Sequence, residues 1–356
     1  MNETAKAIVW FRQDLRITDN PALHSAASSG ASVVPVFVHD DSAGDWQPGQ
    51  ANRWWLEHSL ANLSDSLNGK LRVFSGDPRE IIPWLARLTD ARSVYWNRCV
   101  EPWRIDGDRH IKSTLQDRGV RVHTSNGAWL YDPAEVSKAD GTPYRVFTPF
   151  ARHVLDKHSP RSLLPPPSQL QLDGASYPGT RQPEPGHWRG NGDVAWQPGE
   201  FGAQAQLATF IESRLDSYAE GRDRPDLDSV SRLSPHLHFG EISPHQVRHS
   251  VLDQSTGANA AAREKFLSEL LWREFSAHVL FHFPDLPIRN VQKKFDRFPW
   301  HEDQHLLDCW AGGHTGYPIV DAGMRELRDN GYMHNRVRMI AGSFLVKNLL
   351  QDWRTG

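Results

Sequence analysis

Residues 7–40 read AIVWFRQDLRITDNPALHSAASSGASVVPVFVHD, and the order of elements in this stretch decides the fold. AIVWF is a short apolar run of β-branched and aromatic residues, the composition of a strand buried on both faces. A polar loop follows, in which Asp14 and Arg16 read as groups that fix its course. Asn20-Pro21 then forms a helix start, with Asn as cap and Pro at the first helical position. SVVPVFVHD is a second apolar run. Two such strands joined through a helix form a βαβ unit, whose strands run parallel.

The unit repeats. LRVFSGD, SVYWN and VRVHTS are further strand candidates, and NRWWLEHSLANLSDSLNG, PREIIPWLARLTD and DRHIKSTLQDRG have helical spacing between them. The alternation predicts an α/β domain over residues 1–131 with a doubly wound, Rossmann-like parallel sheet. No G-x-G-x-x-G follows the first strand and no G-x-x-x-x-G-K-[ST] occurs, which excludes the ordinary dinucleotide and P-loop readings. Residues 132–200 turn rich in Pro, Gly and Ser, as in SPRSLLPPPSQLQLDGASYPGTRQPEPGHW, and predict an interdomain linker. From 201 to 356 the pattern is helical, predicting an all-α second domain.

Composition narrows the function. The 40 basic residues against 43 acidic ones leave no global positive field, so any nucleic-acid surface must be a local patch. Two cysteines, Cys99 and Cys309, exclude a disulfide framework, an iron–sulfur cluster and a Cys-rich zinc site. The start has no basic segment followed by a long apolar run, and no stretch reaches the roughly 18 apolar residues of a membrane span. The expectation is a cytoplasmic monomer without membrane contact. Fourteen tryptophans stand out, since Trp serves packing, stacking or electron transfer.

Four stretches could carry chemistry. SVSRLSPHLHFGEISPHQV holds two Ser-Pro steps, Ser234-Pro235 and Ser243-Pro244, each a helix start; hydroxyls and free N–H groups there suit a phosphate, and plain capping is the alternative. In KFLSELLWREF, Glu269, Trp272 and Arg273 fall at i, i+3 and i+4, on one helix face. The indole could stack on a planar ligand, the carboxylate accept ring N–H groups, and the guanidinium meet phosphate; the alternative is a surface ion pair beside a buried Trp. In YMHNRVRM, Asn335 shares a face with Met339, and His334 shares the neighbouring one with Arg338. HEDQH, His301 to His305, matches H-E-x-x-H but lacks an amphipathic helix and a third ligand, so it reads as a solvated turn rather than a zinc site.

Together WFRQDLRITDNPAL, SRLSPHLHFGEISP, ELLWREF, TGYPIVDAGMREL and YMHNRVRMIAGSFLVKNLLQDWR resemble the DNA photolyase/cryptochrome family, in order and spacing, from about residue 6 to the last residue. In detail the chain looks most like class I cyclobutane pyrimidine dimer photolyases. The resemblance implies an N-terminal α/β domain that can hold an antenna chromophore, folate or deazaflavin, and a helical domain that binds FAD. It implies light-driven electron transfer to a pyrimidine dimer flipped out of DNA, with the cofactor carrying the hard step.

Carried over by position, Tyr218, Val230, Ser231, Arg232, Leu233, Ser234, Phe266, Arg273 and Arg338 would line the FAD. Val230 stands where the family often has Thr. Glu269, Trp272, Asn335 and Met339 would form the catalytic face toward the lesion. Arg222, Glu269, Trp272, Arg273, Asn335 and Arg336 would contact DNA, and Trp310 and Trp353 would carry electrons to the flavin. Glu101 lies near where folate-using members hold their pterin. Family members continue past LLQDWR with an Asp-x-Asp-x-Ala-x-x-Asn segment and a Trp-Gln-Trp stretch that these residues do not contain. The resemblance therefore implies an incomplete FAD-binding domain with weak flavin binding. The alternatives are a cryptochrome-type photoreceptor without repair, and an inactive photolyase fragment.

Overall fold

The computed structural model describes residues 5–186, 196–253 and 260–356. Its first half is a five-stranded parallel sheet in the order β3-β2-β1-β4-β5, built from β1 (Lys6–Phe11), β2 (Ser32–Asp40), β3 (Arg72–Gly76), β4 (Ala91–Asn97) and β5 (Arg121–Ser125). All five strands lie in the runs the sequence marks. Between them run α1 (Pro21–Ser28), α2 (Gln50–Ser66), α3 (Pro78–Leu88) and α4 (Pro102–Gln116).

Side-chain alternation explains why the strands are apolar throughout. Ala7, Val9 and Phe11 face a core shared with Leu23 and Leu60, while Ile8 and Trp10 face another shared with Ile82, Leu85, Ile111 and Leu115. Helices α1 and α2 thus cover one side and α3 and α4 the other, burying β1 and most of β2 and β4, while the edge strand β5 stays partly open to water. Asn20 caps α1 by accepting from the Leu23 N–H at 3.2 Å, with Pro21 next in line as expected.

The helical half comprises α5 (Phe147–Lys157), α6 (Glu200–Ser213), α7 (Tyr218–Gly221), α8 (Ser234–Phe239), α9 (Pro244–Asp253) and α10 (Ala260–His282). It continues with α11 (Gln304–Gly312), α12 (Pro318–Asn330) and α13 (Asn335–Ser343), after which a π turn spans Phe344–Asn348. One helix was not expected. Helix α5 lies within the stretch read as linker, and Phe150 and Val154 pack with Phe210, Phe266 and Leu270 in the helical core. Further along, the same stretch does run over the α/β half: Asp173 donates to the Val33 carbonyl at 2.8 Å and Arg181 to that of Val73 at 2.9 Å.

The loop after β1 joins the two halves. Arg16, 1% exposed, donates to the carbonyls of Asp19 (2.8 Å), Gly127 (2.7 Å) and Gly240 (2.9 Å). Asp19 pairs with Arg161 and accepts from Ser243 Oγ. Gly240 sits at φ +66°, and a Cβ there would lie 2.0 Å from the Gln13 carbonyl, so the approach of α8 to this loop needs glycine. Glu241, fully buried, accepts from Trp55 Nε1 at 2.9 Å and the Gly199 N–H at 2.7 Å. Asp14 and Arg16 are therefore fixing groups, as read from the sequence: Asp14 accepts from the Arg12 N–H and Asn97 Nδ2, both at 2.6 Å, within the α/β half, and Arg16 joins that half to the helical one.

Candidate functional site

Helix α10 presents Glu269 and Trp272 one turn apart, but not Arg273 with them. Trp272 is 45% exposed and its ring lies parallel to Phe147 at 3.8 Å, which covers one face of the indole. Glu269 accepts from Arg222 Nη1. Arg273 turns toward the α/β half, donating to Ala128 O at 2.8 Å and stacking 4.2 Å over the Trp129 ring. Its guanidinium is therefore engaged with the α/β half rather than with Glu269 and Trp272. Helical spacing sets which residues are neighbours, but a long side chain goes where unpaired carbonyls lie.

Arg222 links α10 to α13. The residue is only 8% exposed, sits 5.6 Å from the Tyr218 ring, and its Nε donates to Asp223 at 3.3 Å. Asp223 also accepts from Arg336 Nε at 2.7 Å. Alternating charges thus run Glu269, Arg222, Asp223, Arg336, from the middle of α10 to the first turn of α13. The Arg336 contact holds the Asp223 carboxyl below the usual carboxylate range. Asn335 and Met339 share one exposed face of α13, with Asn335 Nδ2 and Arg336 Nη1 lying 4.0 and 3.4 Å from the Met339 sulfur. Arg338 is exposed on the same helix. His334 caps α13, its Nδ1 accepting from the Arg336 N–H at 3.2 Å, so the helix begins three residues into the YMHNRVRM stretch.

The segment 230–234 behaves differently from a capped helix start. Leu233, not Ser234, is the cap residue of α8, and no side chain caps it, so the first Ser-Pro step is not a capping motif. The second is: Gln246 N–H donates to Ser243 Oγ at 3.0 Å and Ser243 N–H to Gln246 Oε1 at 2.8 Å, a reciprocal capping box. Val230 and Ser231 are half-buried, with the Ser231 carbonyl bound by Gln206 at 2.8 Å. Arg232 takes φ +52° and its guanidinium lies 5.8 Å from the Tyr332 ring.

The segment can take a phosphate-bearing group. Arg232 Nε and Arg214 Nη2 share the Asp228 carboxylate at 3.3 and 2.7 Å, and Arg214 Nη1 is buried without a hydrogen-bond partner. A spare cationic donor next to this shared ion pair suits a phosphate oxygen, such as those of the FAD diphosphate. Phe266 and Tyr218 stand in an aromatic core with Phe210, and burial pushes the Tyr218 hydroxyl up to about 12, so the tyrosine stays neutral. Trp310 is buried and donates to Ala341 O at 2.9 Å, whereas Trp353 donates to Asn290 at 2.9 Å.

A second site lies at the carboxyl ends of β1, β2 and β3, a cavity of about 1270 Å³ lined by Arg12, His39, Glu101, Trp103, Arg104 and Trp46 among others. It opens beside the point where strand order reverses, the usual ligand crevice of a doubly wound sheet. Trp46 and Trp103 stack across it at 4.8 Å, nearly parallel. Arg104 Nη1 lies 3.6 Å from the Cys99 sulfur, and burial pushes that thiol up to about 11, which keeps it neutral. Sequence reasoning reached only Glu101 here. It also missed Arg214, Asp223 and Phe147, whose partners lie far along the chain.

Comparison with known proteins agrees with this architecture. Residues 7–169 match the family model "DNA photolyase", and residues 266–356 match "FAD binding domain of DNA photolyase". The chain is 43% identical to a deoxyribodipyrimidine photo-lyase of Agrobacterium fabrum, covering 99% of this chain and 75% of that protein. It is 36% identical to Cryptochrome-2 of Arabidopsis thaliana, covering 100% of this chain and 62% of the relative, so it spans under two thirds of that protein's length. Among solved structures, a bacterial class III photolyase from Agrobacterium tumefaciens superposes with a TM-score of 0.92 at 41% identity, over 100% of this chain and 75% of that one.

Proposed function

Since this chain belongs to the DNA photolyase/cryptochrome family, we propose that it is a deoxyribodipyrimidine photo-lyase, splitting cyclobutane pyrimidine dimers in DNA under light. The observation that carries the proposal is the charge relay joining Glu269 to Arg336, which gathers the lesion-reading side chains of α10 and α13 onto one exposed surface. Class III, the class of the Agrobacterium structure, stands beside the class I resemblance of the motifs as the branch to test.

In this reading FAD supplies the light-driven electron. Ser231, Arg232 and Arg214 would hold its diphosphate, Arg214 through its spare Nη1. Trp272, kept upright by Phe147, gives an extruded base pair a flat face. Glu269, its charge balanced by Arg222, accepts from pyrimidine N–H groups, and Asn335 supplies a complementary donor and acceptor. Arg336 meets backbone phosphate, with Arg222 behind it on Asp223 and Glu269, and Trp310 and Trp353 carry electrons. The cavity with the Trp46–Trp103 stack is where an antenna chromophore would fit. Residues 1–131, 132–200 and 201–356 are our proposed division into antenna-binding domain, linker and FAD-binding domain.

The purified protein, supplied with FAD and reductant, should split thymine dimers in a single-stranded oligonucleotide under blue light and not in the dark. Light-dependent spectral change without repair would favour the cryptochrome reading, for which the 36% identity to Cryptochrome-2 speaks. Replacing Trp272 by alanine should weaken dimer binding by about 1–3 kcal/mol, the worth of one base–aromatic stack. Titration by fluorescence anisotropy checks this, and an unchanged affinity would remove Trp272 from the lesion surface.

A further inference from the structure

The relay contains one residue with no role so far. Asp223 Oδ1 lies 2.7 Å from both Nε and Nη2 of Arg336, and 3.3 Å from Arg222 Nε. One oxygen facing the edge of a guanidinium is the geometry of a phosphate oxygen bound by arginine. The two arginines differ in freedom. Arg222 is buried to 8% exposure and held also by Glu269, whereas Arg336 is 35% and Asp223 53% exposed.

We infer that Asp223 is a positioning residue that stands in for a DNA phosphate, holding Arg336 in place until a backbone phosphate takes over its guanidinium. The inference rests on the reading that this surface meets DNA. Exposed ion pairs are weak, so the exchange is easy. Arg222 stays on Asp223 throughout, so the carboxylate is not left unpaired facing an incoming anion. Without DNA, the contact keeps Arg336 from wandering and ties α7 to α13 across 113 residues of chain. Because phosphate contacts carry no information about the base, the exchange acts equally on damaged and undamaged DNA.

Affinity for a dimer-containing oligonucleotide and for its undamaged twin is measured over a range of salt, for the parent protein and for Asp223→Asn. The asparagine should tighten both by about fivefold, the size of one like-charge contact in water, leaving their ratio unchanged. The slope of log K against log salt should steepen by about 0.9, because the phosphate then meets an Arg336 charge that no carboxylate offsets. Asp223→Glu should restore parent behaviour. In an Arg336→Ala background the same Asp223→Asn change should have little effect. Weaker or unaltered binding in Asp223→Asn, an unchanged salt slope, or an undiminished gain in the Arg336→Ala background would each overturn the inference. A parent protein that binds DNA without preferring dimers would instead sink the lyase reading, and one that binds no DNA would sink both.

Discussion

Arg16→Ala should lower the stability of the folded chain by about 3–5 kcal/mol, the usual result of removing one partner from a buried charged network. Three carbonyls, from Asp19, Gly127 and Gly240, lose their donor at once, and they belong to both halves of the molecule. Burial pulls the Arg16 pKa down while the charges of Asp19 and Asp14 oppose it, and the net shift is downward, so desolvation is the larger effect. The cation is held there for its fixed fork of donors more than for its charge. Arg16→Lys should therefore recover only part of the loss, since a point-like ammonium cannot reach three acceptors in a plane. Urea unfolding monitored by tryptophan fluorescence measures both variants. A loss under about 1 kcal/mol for alanine would mean that water replaces the guanidinium at little cost.

The second large effect is acid sensitivity. His245 and His278 are 4% and 1% exposed, and burial pushes each down to about 4. His278 Nε2 accepts from the Tyr144 N–H at 3.0 Å, which needs the unprotonated nitrogen, and His282 lies against its ring at 4.5 Å. His245 faces the Trp129 carbonyl at 3.2 Å, with Arg161, Arg16 and Asp19 around it. Folded pKa values below the unfolded value mean that the unfolded chain takes up protons first. Stability is thus complete above about pH 6.5 and is lost as pH falls toward 4, by about 3 kcal/mol for each histidine.

Glu274 works in the opposite sense. Burial pushes it up to about 7, so the folded state takes the proton first and gains stability as pH falls through that value toward 4.5. Two histidines outweigh one carboxyl, leaving a net loss of about 3 kcal/mol between pH 7 and 4. His278→Gln keeps an acceptor for Tyr144 but does not titrate, and should remove about 3 kcal/mol of that dependence. Urea midpoints at pH 7, 5.5 and 4.5 test it, and parallel curves for variant and parent would show that His278 does not titrate as described.

The α/β half was legible because a strand buried on both faces must be apolar throughout, and the runs SVVPVFVHD, LRVFSGD and SVYWN end in Asp or Asn. AIVWF and SVVPVFVHD needed no tertiary information. Helix α5 was not legible because FTPFARHVLDK is short, begins without a capping side chain, and lies in a stretch dominated by Pro and Ser. Within the candidate site, residue types were legible and partnerships were not. Glu269 and Trp272 keep the neighbourly spacing expected of them, but nothing local says that Arg222 and Phe147 would meet them. Asp223 looks like one more acid in GRDRPD until Arg336 arrives from 113 positions away. Arg273 shows the converse failure, since its spacing pointed to one face and its guanidinium found carbonyls on another.

The loop after β1 also dictates a timetable. Arg16 emerges from the ribosome 224 residues before Gly240, the last of its three acceptors. At roughly 5–20 residues per second the wait is on the order of 10–45 s. Through that interval the nascent sheet has its first strand in hand, but the guanidinium lacks its last acceptor, and until Arg161 emerges the Asp19 carboxylate lacks its cation. The seam between the domains can close only after translation has passed Ser243, so a pause before that codon would lengthen the exposure of an unfinished seam to chaperones and proteases.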